Sequence, residues 1–146
     1  MASKWYNRGL EKMASTGYVN FESTSNTFEV ALTRSTGYTF ASTHATVADL
    51  GANWECSSTD YVRKALVGRT VAQAGGILTF NSSDPVWTTL TGGVAVKAAI
   101  VYYKGSTAPA AQELLWYNED ASALTPNGGQ VTLQFSTNGI ATISAT

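Results

Sequence analysis

Residues 92–105 read GGVAVKAAIVYYKG, which is the most strand-like stretch of this sequence. From Val94 to Tyr103, apolar side chains occupy both alternating sets of positions. A strand with one solvated face alternates apolar and polar residues, whereas a strand covered on both faces is apolar almost throughout. The pattern therefore predicts a central strand in a sheet that is covered on both sides.

The composition favours an all-β chain. The sequence has 146 residues, 44% of them apolar and only 13% charged, against an ordinary charged share of about 25%. Thr, Val and aromatic residues are frequent, and such side chains fit the pleated surface of a sheet. Short strands with turns every 8–12 residues or so are typical of an antiparallel sandwich or barrel. We expect one all-β domain.

Charge and hydropathy exclude several partners. The formal net charge is −1 and no block of basic residues occurs, so nucleic acid is not an expected partner. No apolar stretch is long enough to span a bilayer, and the first residues have no apolar signal segment. Cys56 is the single cysteine, so no internal disulfide can form. We expect a protein made in a cytosol, with some uncharged surface hidden in an oligomer.

The N-terminus follows a helical period. Apolar residues at spacings of four and three predict a short amphipathic helix, which is marginal unless its apolar side docks on something. The two-residue period of strands begins only later, so we predict an N-terminal arm at 1–17 and a β-domain at 18–146. The arm docks either on its own domain or on a neighbour, and removing residues 1–14 is expected to leave a folded domain. The predicted interaction residues are the apolar ones of the arm: Trp5, Tyr6, Leu10 and Met13.

Local patterns place several further elements. Alternating apolar residues at 28–32 predict a half-buried strand. The segment TVADL at 46–50 predicts one helical turn that Gly51 closes. A strand after residue 61 is expected to bend at Gly68, and a turn at 82–85 separates two short strands.

Asn138-Gly139 predicts a hairpin near the C-terminus. A three-residue loop at 137–139 gathers the apolar side chains on one face, whereas a two-residue loop does not. We therefore expect a type I turn with Gly139 at positive φ, forming a bulge. The predicted pairs are Val131 with Ala145, Leu133 with Ile143, and Phe135 with Ala141.

Candidate catalytic residues are few. His44, the only histidine, lies in a Ser/Thr-rich loop without a nucleophile motif, so a structural role is favoured over a Ser-His-Asp triad. Cys56 is interpreted as a small buried thiol rather than a nucleophile. One His and one Cys do not supply the usual zinc ligand sets.

Acidic residues flank the aromatic segment LLWYN at 114–118. Glu113 with Glu119 or Asp120 is the best candidate for a glycosidase pair, although adjacent acids at a strand end usually form a solvated turn. Calcium at Asn118 and Asp120 lacks the rest of an EF-hand pattern. We expect no catalytic residue, cofactor or metal.

Five segments carry a family resemblance. They are EVALTRSTGYTF, THATVADLGANWE, YVRKALVG, LTFNSSDPVWTTLTGGVAVKAAIVYYKG and NGGQVTLQFSTNGIATIS, in this order. Their order and spacing, from about residue 5 to residue 146, resemble the decoration (cement) proteins on the heads of tailed bacteriophages. The loop STAPAAQE at 106–113 and the segment WEC at 54–56 depart from the family's pattern.

The resemblance implies a β-sandwich of jelly-roll type and a non-enzymatic virion protein. Such a protein assembles in the host cytoplasm, forms a homotrimer on the capsid surface, and clamps the major capsid protein after head expansion. Low charge and many aromatic residues suit wide contacts, since aromatic residues are enriched in interface cores.

Two alternatives stay open. One is a tail or head-fibre component that binds host-surface carbohydrate through an exposed groove of Trp87, Trp116 and Tyr117. The other is a small glycosidase that uses Glu113 and Glu119, which requires two carboxylates about 5–10 Å apart.

Overall fold

The computed structural model describes residues 2–14, 19–105 and 107–144. They form ten strands, one α-helix and two short 3₁₀ turns. The elements are β1 Ala2–Trp5, α1 Asn7–Ala14, β2 Phe28–Arg34, β3 Lys64–Ala65, β4 Thr70–Ala74, β5 Ile77–Asn81, β6 Val86–Trp87, β7 Val96–Lys104, β8 Gln112–Leu124, β9 Val131–Thr132 and β10 Ala141–Ser144, with 3₁₀ turns at Val47–Leu50 and Pro109–Ala111. No helix in these ranges is long and apolar enough to cross a membrane.

A five-stranded antiparallel sheet dominates the fold, in the order β1-β8-β7-β2-β3. Its middle strand β7 is buried on both faces, as the sequence predicted. Val101 and Ala99 belong to a main core on one face, whereas Ile100 and Tyr102 belong to a second core on the other. The alternation of the pleat thus divides one apolar segment between two cores.

The main core lies between this sheet and two smaller antiparallel sheets, β10-β5-β4 and β6-β9. Its centre is aromatic. Trp116 of β8 contacts Phe21 and Phe80 with ring centroids 5.4 and 5.3 Å apart. The prediction of an all-β antiparallel fold is confirmed, and this layering is consistent with a β-sandwich. The jelly-roll connectivity stays a prediction.

The second core is covered by the long connection after β2. Val47 and Leu50 of its 3₁₀ turn are buried there, beside Trp54. The Asp49 carboxylate accepts the backbone N–H of Thr46 at 2.8 Å, which fixes the start of the turn. Gly51 ends it at φ +78°, so the predicted helical turn is confirmed.

The N-terminal segment is part of the domain and not a separate arm. Strand β1 pairs with β8 from Ala2 opposite Glu119 to Trp5 opposite Trp116. Helix α1 then lies directly on β8 through Gly9, where a Cβ would come within 2.6 Å of the Leu115 carbonyl oxygen. The predicted boundary between residues 17 and 18 lies outside the described residues.

The close approach of α1 coincides with an irregularity in β8. Tyr102 of β7 pairs with Leu114, whereas the preceding residue, Val101, pairs with Trp116. The extra residue, Leu115, forms a bulge, and its carbonyl accepts the Tyr6 backbone N–H at 3.0 Å. The bulge therefore directs the Leu115 carbonyl out of the sheet ladder and towards the N-terminal segment.

The predicted C-terminal hairpin is wrong in its strand pairing. Residues 131–132 pair with β6, and residues 141–144 pair with β5, so each half extends a different sheet. Ala141 lies opposite Phe80 rather than Phe135, and the Val131–Ala145 pair lies outside the described residues. The turn itself forms, with the Gly139 N–H donating to the Ser136 carbonyl at 2.8 Å and φ +83°. The two halves pair with β5 and β6 instead, and Leu133, Ile140 and Ala141 are buried in the main core there.

Candidate functional site

A polar cavity of about 570 Å³ opens where the ends of β2, β7 and β8 meet the connection before β3. Three segments that are distant in sequence supply its charged groups, and the start of β8 adds the neutral Gln112. The side chains that define it are Glu29, Glu55, Tyr61, Arg63, Lys104 and Gln112. We call this set the polar cavity.

Arg63 organises the wall. Its Nε and Nη2 donate to the two carboxylate oxygens of Glu55, at 2.6 and 2.8 Å. Its Nη1 donates to the Tyr102 hydroxyl at 3.1 Å and to Gln112 Oε1 at 3.0 Å. The hydrogen bonds to Glu55 raise the pKa of Arg63 above its ordinary value. A bidentate pair of this kind fixes orientation as well as charge.

Glu29 forms the second charged pair. Its Oε1 accepts from Lys104 Nζ at 2.6 Å, and its Oε2 accepts from the Tyr102 hydroxyl. Burial, and next the hydrogen bond to Glu29, raise the pKa of Tyr102. Tyr102 therefore stays a neutral bridge between the Glu29 and Arg63 pairs.

Aromatic rings support the cavity from behind. The Arg63 guanidinium lies 5.4 Å from the ring centroids of both Trp54 and Tyr102, within the range of a cation–π contact. Tyr61 donates to Glu55 Oε1 at 3.0 Å and accepts the Leu32 backbone N–H at 3.0 Å. Burial raises its pKa. These contacts fix the positions of Arg63 and Tyr61 relative to the core.

Cys56 and His44, the two candidate catalytic residues, are not brought together at the cavity. Cys56 lines it, but this thiol is buried and donates to the Ser58 hydroxyl at 3.4 Å. His44 lies elsewhere, with Nδ1 3.3 Å from the Tyr38 hydroxyl. Within the described ranges, no group of three or more His, Cys, Asp or Glu side chains could hold a metal ion.

The structure separates the predicted acidic pair. Glu113 accepts from Arg8 and Lys12 of α1, at 2.7 and 2.8 Å, whereas Glu119 accepts from Lys4 and Lys97. Burial opposes ionisation of Glu113, but the bonds from Lys12 and Arg8 outweigh it and lower its pKa.

The bonds from Lys97 and Lys4 lower the pKa of Glu119. Six residues of extended chain separate the two carboxylates by about 20 Å, which exceeds the spacing of a glycosidase pair. Asp120, the other predicted partner, is exposed, and Asn118 beside it is buried.

The aromatic groove expected for carbohydrate is not formed by the predicted residues. Trp87, Trp116 and Tyr117 are 2%, 0% and 4% exposed. Burial, and next the charge of Glu119, raise the pKa of Tyr117 to about 12. These rings pack inside the domain and present no face to a ligand.

The predicted interaction residues of the N-terminus are not together on the surface. Tyr6 is fully buried, and its hydroxyl lies 2.7 Å from that of Tyr38. Trp5 and Met13 pack partly buried against the main core, and Trp5 Nε1 donates to the Thr142 carbonyl. Leu10 is 40% exposed. The apolar stripe predicted for the helix is wrong at Leu10, because Gly9 faces the sheet in its place.

Sequence reasoning missed the polar cavity. Its one local trace is Glu29, a carboxylate between Phe28 and Val30 near the start of β2. A charge between two buried residues needs a partner, but nothing in the sequence indicates that Lys104 supplies it.

Comparison of the chain with protein-family models, curated proteins and solved structures found no match.

Proposed function

We propose that this chain is a structural virion protein, a capsid decoration protein that binds the major capsid protein of a phage head and stabilises its lattice. In this proposal it is not an enzyme, assembles in the host cytoplasm, and acts as a homotrimer on the capsid surface. The order and spacing of the quoted sequence segments support this assignment. The geometry adds one observation that favours an adhesive role.

That observation is the outer edge of β4. Strand β4 is the last strand of its sheet, and Thr70–Ala74 contain neither charge nor proline. All its residues are exposed except Val71, which is half-buried. Natural edge strands usually carry such charges or prolines because an unprotected edge pairs with other chains. An edge without them is suited to receive a strand from a partner.

The outward-facing positions of this edge can be identified. The Val71 N–H points away from β5 and donates to Glu22 Oε1 at 3.0 Å. Backbone groups alternate along an antiparallel pair, so the Gln73 N–H also points outwards. We place the contact with the capsid protein at Gln73.

The test combines mass and binding. Light scattering should give about three chain masses for the free protein, and the protein should cosediment with heads that lack it. Gln73→Pro removes the outward N–H and, at an edge, leaves the ladder with β5 intact. It should bind heads about tenfold more weakly, equivalent to about 1.4 kcal/mol. Gln73→Ala keeps the N–H and is the matched control.

Three outcomes contradict the proposal or part of it. Failure of the wild-type protein to cosediment with heads removes the decoration role, and a monomer in solution removes the trimer. Full binding by a folded Gln73→Pro variant shows that β4 is not the contact.

A further inference from the structure

The charged side chains of the polar cavity have no net charge. Glu29 and Glu55 carry two negative charges, and Lys104 and Arg63 carry two positive ones. Each charge faces its opposite at 2.6 Å. A ligand with a net charge would therefore meet no excess of the opposite sign.

Most of the hydrogen-bond donors of the Arg63 guanidinium are already in use. Arg63 uses its Nε, both Nη1 directions and one Nη2 direction, which are four of its five N–H donors. An anion such as phosphate would have to displace Glu55 or Gln112 from it. Removing one partner of a partly buried pair is costly, so the geometry disfavours an anionic ligand at the guanidinium.

Other polar capacity on the wall remains open to a neutral ligand. Each Glu29 oxygen accepts one bond, and a carboxylate has about four acceptor sites. Lys104 Nζ donates one bond to Glu29, out of three that an ammonium can make. A hydroxyl group of a ligand can donate to Glu29 and accept from Lys104 without breaking the ion pair between these two side chains.

Apolar atoms of the Tyr61 ring and of Val62 also line the cavity, beside the charged groups. A ligand with both hydroxyl groups and a C–H face would match this lining, and about 570 Å³ lies within the range of small-ligand sites, roughly 300–1,000 Å³.

A peptide from another chain fits less well. An extended peptide is held mainly through backbone bonds to a free strand edge. Of the strands at this cavity, β2 and β7 are each paired on both sides, so neither presents a free edge.

From these contacts we infer that the polar cavity binds a neutral saccharide unit, with Glu29 and Lys104 holding its hydroxyl groups and Tyr61 with Val62 contacting its ring. This site is separate from the β4 edge, and it does not depend on the capsid role.

The test is an amide NMR titration of the full chain. The probes are D-glucose, D-galactose and N-acetyl-D-glucosamine at millimolar concentrations, with sodium sulfate as the charged probe. We expect saturable shifts at Arg63, Lys104 and Gln112 with at least one sugar and none with sulfate. No saturable shift with any of the three sugars overturns the inference, as does binding of sulfate in preference to them.

A matched pair of variants locates the site. Val62 is 57% exposed and lines the cavity, whereas Val67 is 63% exposed on the same segment and does not. Val62→Trp fills the cavity and should weaken sugar binding at least tenfold. Val67→Trp should bind like the wild type, and circular dichroism checks that both fold. Equal sugar binding by Val62→Trp and the wild type overturns the inference.

Discussion

Replacing Tyr6 by alanine tests whether the N-terminal segment belongs to the core. The ring is fully buried between β8 and the connection that covers the second core. Its hydroxyl bonds to that of Tyr38, and its backbone N–H donates to the Leu115 bulge. The segment before α1 is thus fixed at side chain and backbone together.

The expected loss is large relative to the stability of a domain. Truncating a buried aromatic residue to alanine costs about 3–5 kcal/mol, because apolar burial is lost and a cavity remains. A domain is stable by about 5–15 kcal/mol in total. We expect Tyr6→Ala to lower the free energy of unfolding by about 3–5 kcal/mol.

Leu10→Ala is the control on the same segment. Leu10 is 40% exposed, and alanine is at least as good a helix former as leucine. We expect a change of less than about 1 kcal/mol. Urea denaturation, followed by tryptophan fluorescence and circular dichroism, measures both variants at one protein concentration.

The alternative is an arm that docks on a neighbour. In that case Tyr6→Ala would leave the urea midpoint unchanged and weaken binding to heads. Leu10→Ala would have the same two effects. That result would refute our assignment of Tyr6 to the core. The same reasoning reverses the expectation drawn from sequence for removal of residues 1–14, which should now unfold the domain.

Three further variants test single contacts. Gly139→Val should cost about 2–4 kcal/mol in urea denaturation, because φ is positive there and a Cβ would overlap the Phe80 carbonyl oxygen. Glu113→Gln should lower stability at pH 7 and reduce the loss on acidification. The folded pKa of Glu113 is lowered, so its contribution is present above the unfolded pKa of about 4.3 and disappears as the pH falls through the folded value; equal pH profiles for variant and wild type would contradict this. Asn118→Leu should raise stability by about 1 kcal/mol, since the buried Asn118 Nδ2 has no hydrogen-bond partner, and a lower melting temperature would show that the amide is needed.

The sequence predicted elements whose pattern is local. The strand at 28–32, the apolar run of β7 and the turn closed by Gly51 are all present. The half-buried character predicted for the first of these is wrong, because Ala31 and Thr33 on its other face are also buried. Each depends on residues within one segment, where side-chain period or turn chemistry decides the structure.

Elements whose partners are distant in sequence were not predictable. The C-terminal segment offers its own hairpin, but its two halves pair instead with β5 and β6, which belong to two different sheets. The N-terminal helix shows the same limit. Its apolar stripe indicated Leu10, yet the bulge at Leu115 approaches so closely that only Gly9 fits against it. Neither competing surface is visible in a single stretch of sequence.

Most Lys and Arg side chains of the chain form ion pairs or hydrogen bonds within the domain. Of nine Lys and Arg residues, six form ion pairs: Lys4, Arg8, Lys12, Arg63, Lys97 and Lys104. Arg34 and Arg69 donate to backbone carbonyls of neighbouring loops. Most of the positive charge is thus engaged within the domain, and β4 itself carries no charge. The proposed association through the β4 edge would therefore depend on backbone hydrogen bonds and apolar contact. Salt screens charge and leaves those contacts intact, and the head-binding titration should therefore change little with ionic strength.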